Sequence, residues 1–238
     1  MSVQFSEVGL APNFIDYAGA WEQQRQIHEK VVAGQAPNTA LLLEHAAVYT
    51  AGKRTEDNER PFDGTPVINV DRGGKLTWHG PGQLVMYPIV RLSDPHSIRA
   101  YVHALEEIII EVLGHYGITG LRVDGRAGIW LTADDKGGDR KIAAIGIRVH
   151  DGVTMHGIAI NANNSLAPYS QIIACGIADA GTTTLAVETG KDISPQDLAP
   201  LVKEATARIL APLITDIQPE QAPPAGSVEA GRSEGAFS

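Results

Sequence analysis

The chain has 238 residues, 43% hydrophobic and 20% charged, with 19 basic against 28 acidic side chains for a formal net charge of −9. Length and composition suit one soluble globular core; the acidity argues against a nucleic-acid partner, because neutralising phosphates takes a basic face, and no apolar run reaches the ~18 residues of a membrane span. Met1 to Leu10 carry neither a basic n-region nor a continuous apolar h-region, so no secretory signal is expected and the cytoplasm is the expected compartment.

The first residues suggest a short strand. Asn13, with Asp16 three residues on, suggests a helix start, and Phe14, Tyr17, Trp21 and His28 then share one face of a helix near 13–33. Thr39–Glu44 and Pro66–Val70 are short apolar runs between turn formers and read as strands of a buried sheet. After a glycine-rich break, Leu84–Leu92 resumes as a strand. Ile98, Tyr101, Val102, Leu105, Ile108, Ile109, Val112 and Tyr116 then recur at three-and-four spacing, which predicts an amphipathic helix. Asp151-Gly152 favours a type I′ turn, and a tight hairpin there gives paired residue numbers that sum to 303. Lys141 then lies opposite Ala162 and ends an apolar stripe of Ala143, Ile145, Ile147 and Val149. Ser194 as cap, Pro195 at the first position and Asp197 three after the cap predict a helix over about 195–212. From Gln218 the chain is rich in Pro, Gly, Ala and Ser, too poor in apolar surface to offset the entropy of ordering. The expected fold class is α/β, a mixed sheet with flanking helices, over residues 1–213, with 214–238 as a low-complexity tail.

Two features carry chemistry. The segment Arg72–Gln83 holds four glycines with an arginine, a lysine and a histidine between strands. Such a loop can make a tight turn, or bring backbone amides close to a ligand. It lacks the Gly-Lys-Ser/Thr ending of a phosphate loop and the spacing of a dinucleotide fingerprint. Lys53, Arg54, Arg60, Arg72 and Lys75 form a candidate basic patch. The second feature is the pair Lys141 and Cys175. The single cysteine excludes an internal disulfide and leaves a packing residue or a reactive thiol. A cysteine attacks carbonyl carbon as thiolate and needs a base or a cation beside it; a lysine can be either. The Gly176 amide beside the sulfur suits an oxyanion.

Arg72 to Gln83 with Tyr87, Lys141-Ile-Ala-Ala-Ile-Gly146, His156-Gly157-Ile-Ala159 followed by Asn161, and Ile173-Ala-Cys175-Gly176-Ile resemble, in order and spacing, the bacterial octanoyl-[acyl carrier protein]:protein octanoyltransferases (LipB). The resemblance runs from the N-terminus to about residue 213, with no departure at a motif position. It implies a fold like that of biotin and lipoate protein ligases, Cys175 as acyl-thioester nucleophile and Lys141 as its acid/base partner. It also implies acyl-binding positions at Arg72, Gly73, Gly74, Lys75, Leu76, Thr77, Trp78 and His79, at Ala144, Ile145 and Gly146, and at Gly157, Ile158 and Ala159. The implied donor is octanoyl-acyl carrier protein. The implied acceptors are lipoyl domains of 2-oxoacid dehydrogenase E2 subunits or glycine-cleavage H protein, and neither ATP nor metal is expected.

Other readings stand beside these. His45, His79 and His156 lack the tight pairing of a zinc site, so no metal is expected; His79 and His156 are candidates to orient substrate. Trp21, Trp78 and Trp130 read as core residues, with Trp78 alone carried by a motif. Asp134, Asp135 and Asp139 read as a solvated loop. An ATP-dependent lipoate or biotin ligase would share the fold without needing Cys175, and a cysteine hydrolase would take His79 or His156 as base.

Overall fold

Two β-sheets of unequal size organise the chain, seen in a computed structural model that describes residues 2–61, 65–172 and 180–217. The elements are β1 (Gln4–Gly9), α1 (Tyr17–Val32), β2 (Thr39–Leu43), β3 (Val48–Ala51), β4 (Val67–Asn69), β5 (Leu76–His79), β6 (Gln83–Ile89) and α2 (Ile98–His115). They continue with β7 (Leu121–Val123), β8 (Arg126–Leu131), β9 (Arg140–His150), β10 (Val153–Asn161), β11 (Gly181–Thr182), α3 (Leu185–Thr189) and α4 (Pro195–Leu210). The large sheet runs β1-β2-β6-β10-β9-β8-β7, with β11 also paired to β9, and the small one runs β4-β3-β5. Parallel pairs (β1–β2, β3–β4, β11–β9) and antiparallel pairs mix in both sheets.

The strands β2 and β6 are buried along nearly their whole length because the sheet is covered on both faces, which is why they read as continuous apolar runs. On one face α2 and α4 press Tyr101, Leu105, Ile108, Ile109, Leu198 and Val202 onto Leu84, Met86, Ile129, Ile142 and Ile160. On the other, α1 lays Ala20 and Val31 against Leu41, Leu43, Val85 and Ala159. The predicted start of α4 holds: Ser194 and Asp197 form a reciprocal capping box and Pro195 opens the helix, which ends at Leu210. No helix of the described residues is long and apolar enough to cross a membrane.

Four expectations change. Helix α1 starts at Tyr17 with Asp16 as its cap, because Ile15 is held extended, its amide donating to Glu44 O and its carbonyl accepting from Ala46 N; Phe14 thus precedes the helix and is exposed. The strand expected at 66–70 joins the small sheet, and Leu76–His79, expected inside the glycine-rich break, is a strand paired with β3. The hairpin register of 303 holds from Val153↔His150 to Ile160↔Ala143, with Asp151 and Gly152 both at positive φ. Past Ile160 it breaks: Ala162 and Asn163 turn away to donate to Gly82 O, and Thr182 takes the place opposite Lys141. Finally, residues beyond 213 still pack, with Ile214 buried and bridged to Leu92 and Asn38 donating to Thr215 O.

Candidate active site

The hairpin β9–β10 forms one wall of a cavity of about 270 Å³, closed by Arg72 to His79 on a second side and by Gly125–Ala127 on a third. From the hairpin, Ala144, Ile145, Gly146, Gly157, Ile158 and Ala159 all line it. Gly146 and Gly157 face each other across the ladder. A Cβ on Gly157 would lie 2.2 Å from Met86 O, so β6 passes too close for any side chain there. The wall is thus small and apolar, the lining that a hydrocarbon chain needs to shed water.

Lys141 sits at the end of this wall, 8% exposed. Backbone pairing sets it opposite Trp130 on one side and Thr182 on the other, and its Nζ lies 4.8 Å from the Trp130 ring centroid. A chain of hydrogen bonds ties the lysine's strand end to the glycine-rich loop. His79 Nδ1 donates to Gln83 Oε1 (2.7 Å), and Gln83 Nε2 donates to Asn161 Oδ1 (2.9 Å). Asn161 Nδ2 donates to Thr183 O (3.0 Å), and Thr183 N donates to Lys141 O (2.9 Å). Next to the lysine, Arg140 is buried in a two-point ion pair with Glu188 (2.7 and 2.9 Å) and also donates to Asp134 (2.8 Å). Asp134 is therefore tied down, not merely solvated.

A polar floor underlies the cavity on the α1 side. Burial lowers His79 to about 3 and His45 to about 4. Both are neutral, with protons fixed by their partners: His45 Nδ1–H donates to Ile15 O (3.0 Å), and Tyr87 O–H donates to His45 Nε2 (2.7 Å). Burial raises Tyr17 to about 12 and also holds Tyr87 well above the usual phenol value, so both phenols stay protonated. His156 adopts φ of 57°, its N–H donating to Gln24 Oε1 (2.8 Å). Its Nε2–H donates to Asp71 Oδ1 (2.8 Å), and that bond, aided by Arg148, lowers Asp71 to about 2. Burial outweighs the carboxylate and keeps His156 below the usual histidine value.

The expected acyl-binding positions divide. Arg72, Gly74, Lys75, Thr77 and His79 line the cavity with the six hairpin residues; Gly73, Leu76 and Trp78 do not. Strand alternation turns Leu76 and Trp78 to the opposite face, onto Tyr49 and Ile172, while Gly73 N donates to Ile147 O (2.9 Å). Of the expected basic patch, Arg72 is buried, its guanidinium donating to Thr50, Gly73 and Lys75 carbonyls. Lys75 is held by Glu59 (2.5 Å) and Glu56 (3.2 Å), and Arg60 by Asn69 (2.8 Å). Lys53 and Arg54 stay exposed, with Arg54 at the cavity. Tyr17, Gly125, Arg126 and Ala127 were missed as lining residues, because long-range packing brings them there. Cys175 lies outside the described residues.

Residues 16–207 match the family described as lipoyl protein ligase A/B catalytic domain. The chain is 70% identical over 209 residues to the octanoyltransferase of Renibacterium salmoninarum, covering 87% of this chain and 90% of that one. It is 66% identical over 204 residues to that of Arthrobacter sp., covering 86% and 92%. The chain belongs to the octanoyltransferase family. It is an acyltransferase of lipoyl or octanoyl transfer. In fold it is similar to a putative lipoate protein ligase from T. acidophilum, with a TM-score of 0.68 at 14% identity over 88% of this chain and 86% of that one. Lipoate-protein ligase A bound with ATP gives a TM-score of 0.59 at 12% identity over 88% and 86%.

Proposed function

We propose that this octanoyltransferase takes its acyl group from octanoyl-acyl carrier protein and delivers it to the ε-amine of a lysine on a lipoyl domain, through a thioester on Cys175 with Lys141 as proton carrier. The acceptors in this reading are E2 subunits of 2-oxoacid dehydrogenases and glycine-cleavage H protein. The observation that carries it is Lys141, buried at the end of the small, apolar hairpin wall of a cavity whose lining contains no carboxylate among the described residues.

The thiol proton of Cys175 passes to the lysine amine, and the thiolate attacks the carbonyl carbon of the donor thioester. The tetrahedral intermediate collapses, the bond from carbon to the carrier's sulfur breaks, and the carrier sulfur takes the proton back from Lys141. The acceptor amine then attacks the acyl-enzyme, an amide forms, its proton passes through Lys141, and Cys175 leaves as thiol. A thioester is already an activated acyl group, so the chemistry calls for neither ATP nor metal. The neutral, buried His79, lowered to about 3, is poorly suited as the base of a cysteine hydrolase, which supports the lysine in that role.

Intact-protein mass spectrometry after mixing with octanoyl-carrier protein, without ATP, tests the reading. The expected result is one octanoyl group on the wild type, labile to thiols, and none on Cys175→Ser. An adduct that survives in the variant, or none in the wild type, overturns it.

A further inference from the structure

Lys141 is held by a contact that acyl transfer by itself does not demand. Its Nζ lies over the Trp130 ring, 4.8 Å from the centroid, and the indole is buried to 3% exposure. The indole N–H donates to Arg126 O at 3.0 Å, which fixes the ring's orientation. Two residues earlier Gly128 holds φ of 108°, and a Cβ there would lie 2.3 Å from Ala143 O and 3.3 Å from Lys141 Cε. Register shifts between Ile129 and Trp130. Glycine therefore lets β8 approach β9 closely where the indole meets the lysine.

The charges around the lysine make this contact consequential. Arg54, Arg72, Lys75 and Arg126 share the cavity with it, beside the neutral His79 and His156. The Arg126 guanidinium also lies over the same indole, 5.5 Å from the centroid. An aromatic face attracts a cation through its quadrupole, most strongly where water is excluded.

We propose that Trp130 is the positioning residue for Lys141: its π-face carries the ammonium that Lys141 becomes on taking the thiol proton, and so favours the thiolate that attacks the thioester. The inference rests on the Cys175–Lys141 reading above. In the step concerned the S–H bond breaks, its electron pair stays on sulfur, and the proton forms the third N–H bond of the ammonium; no other reactant takes part.

Site-specific replacement of Trp130 by mono-, di- and trifluorotryptophan drains the π-face while keeping the ring's shape. Two rates are read on the full chain: single-turnover octanoylation by octanoyl-carrier protein, and alkylation of Cys175 by iodoacetamide at neutral pH. Both are expected to fall stepwise, by roughly tenfold across the series, with KM for the donor unchanged. A flat series in both overturns the proposal. If the unsubstituted protein takes up no octanoyl group, the thioester reading fails, and the alkylation series alone then decides whether the indole acts on the cysteine's partner.

Discussion

The two faces of the large sheet are built to opposite specifications. Under α2 and α4 the contacts are almost entirely hydrocarbon, from Leu105, Ile108, Ile109 and Leu113 down to Val202 and Leu210. Under α1 a smaller apolar cluster shares the interior with Gln24, His45, His79, Tyr87 and His156. Burial of apolar surface stabilises without regard to direction, whereas buried polar groups must each meet a partner of fixed geometry. The first face therefore carries stability and the second holds a shape.

The contrast yields three measurable expectations, beginning with the largest effect. Ile108→Ala on the hydrocarbon face is expected to lower unfolding free energy by about 2–5 kcal/mol, read by urea denaturation, while kcat per folded molecule stays unchanged. A fall in kcat of the folded protein would mean that the faces are not separable. On the polar face, His45 and His79 sit at about 4 and 3 against an ordinary value of 6.5. The unfolded chain thus binds more protons, and stability is full above pH 6.5 and falls as pH drops toward 3. Thermal melts across that range are expected to show this slope, and His45→Gln with His79→Gln to flatten it. An unchanged slope would remove the two histidines as its source. The smallest effect belongs to the solvent side of α4, where Arg208 pairs with Glu111 in the open. Arg208→Ala is expected to leave the melting temperature within error, and a clear drop would show that the outer surface contributes more than its exposure suggests.

What was legible in the sequence was local. The Asp151-Gly152 turn set its hairpin register, the three-and-four spacing from Ile98 marked α2, and Ser194, Pro195 and Asp197 marked the start of α4; each is decided by neighbours within a few residues. The misplaced start of α1 and the unseen β5 depended on partners far along the chain, Glu44 and β3. The site shows the same limit. The motif residues Gln83 and Asn161 were visible as part of a pattern, but their work as links between His79 and the strand end of Lys141 emerges only when three segments meet. Trp130 read as an ordinary core residue, because periodicity carries no sign of which strand a neighbour will come from.

The paired glycines of the hairpin have a consequence for how the family can diversify. At position 157 the backbone of β6 forbids any side chain, so that part of the cavity wall cannot be narrowed without moving β6. At position 146 a Cβ would instead meet Arg72 Cδ at 3.0 Å and Gly73 O at 3.3 Å. The arginine is itself buried and held by the Thr50, Gly73 and Lys75 carbonyls, so a methyl group there would have to displace an anchored side chain. One glycine is guarded by main chain and its partner by an anchored side chain, so replacing the first would have to move a strand and replacing the second would have to break the hydrogen bonds of a buried cation.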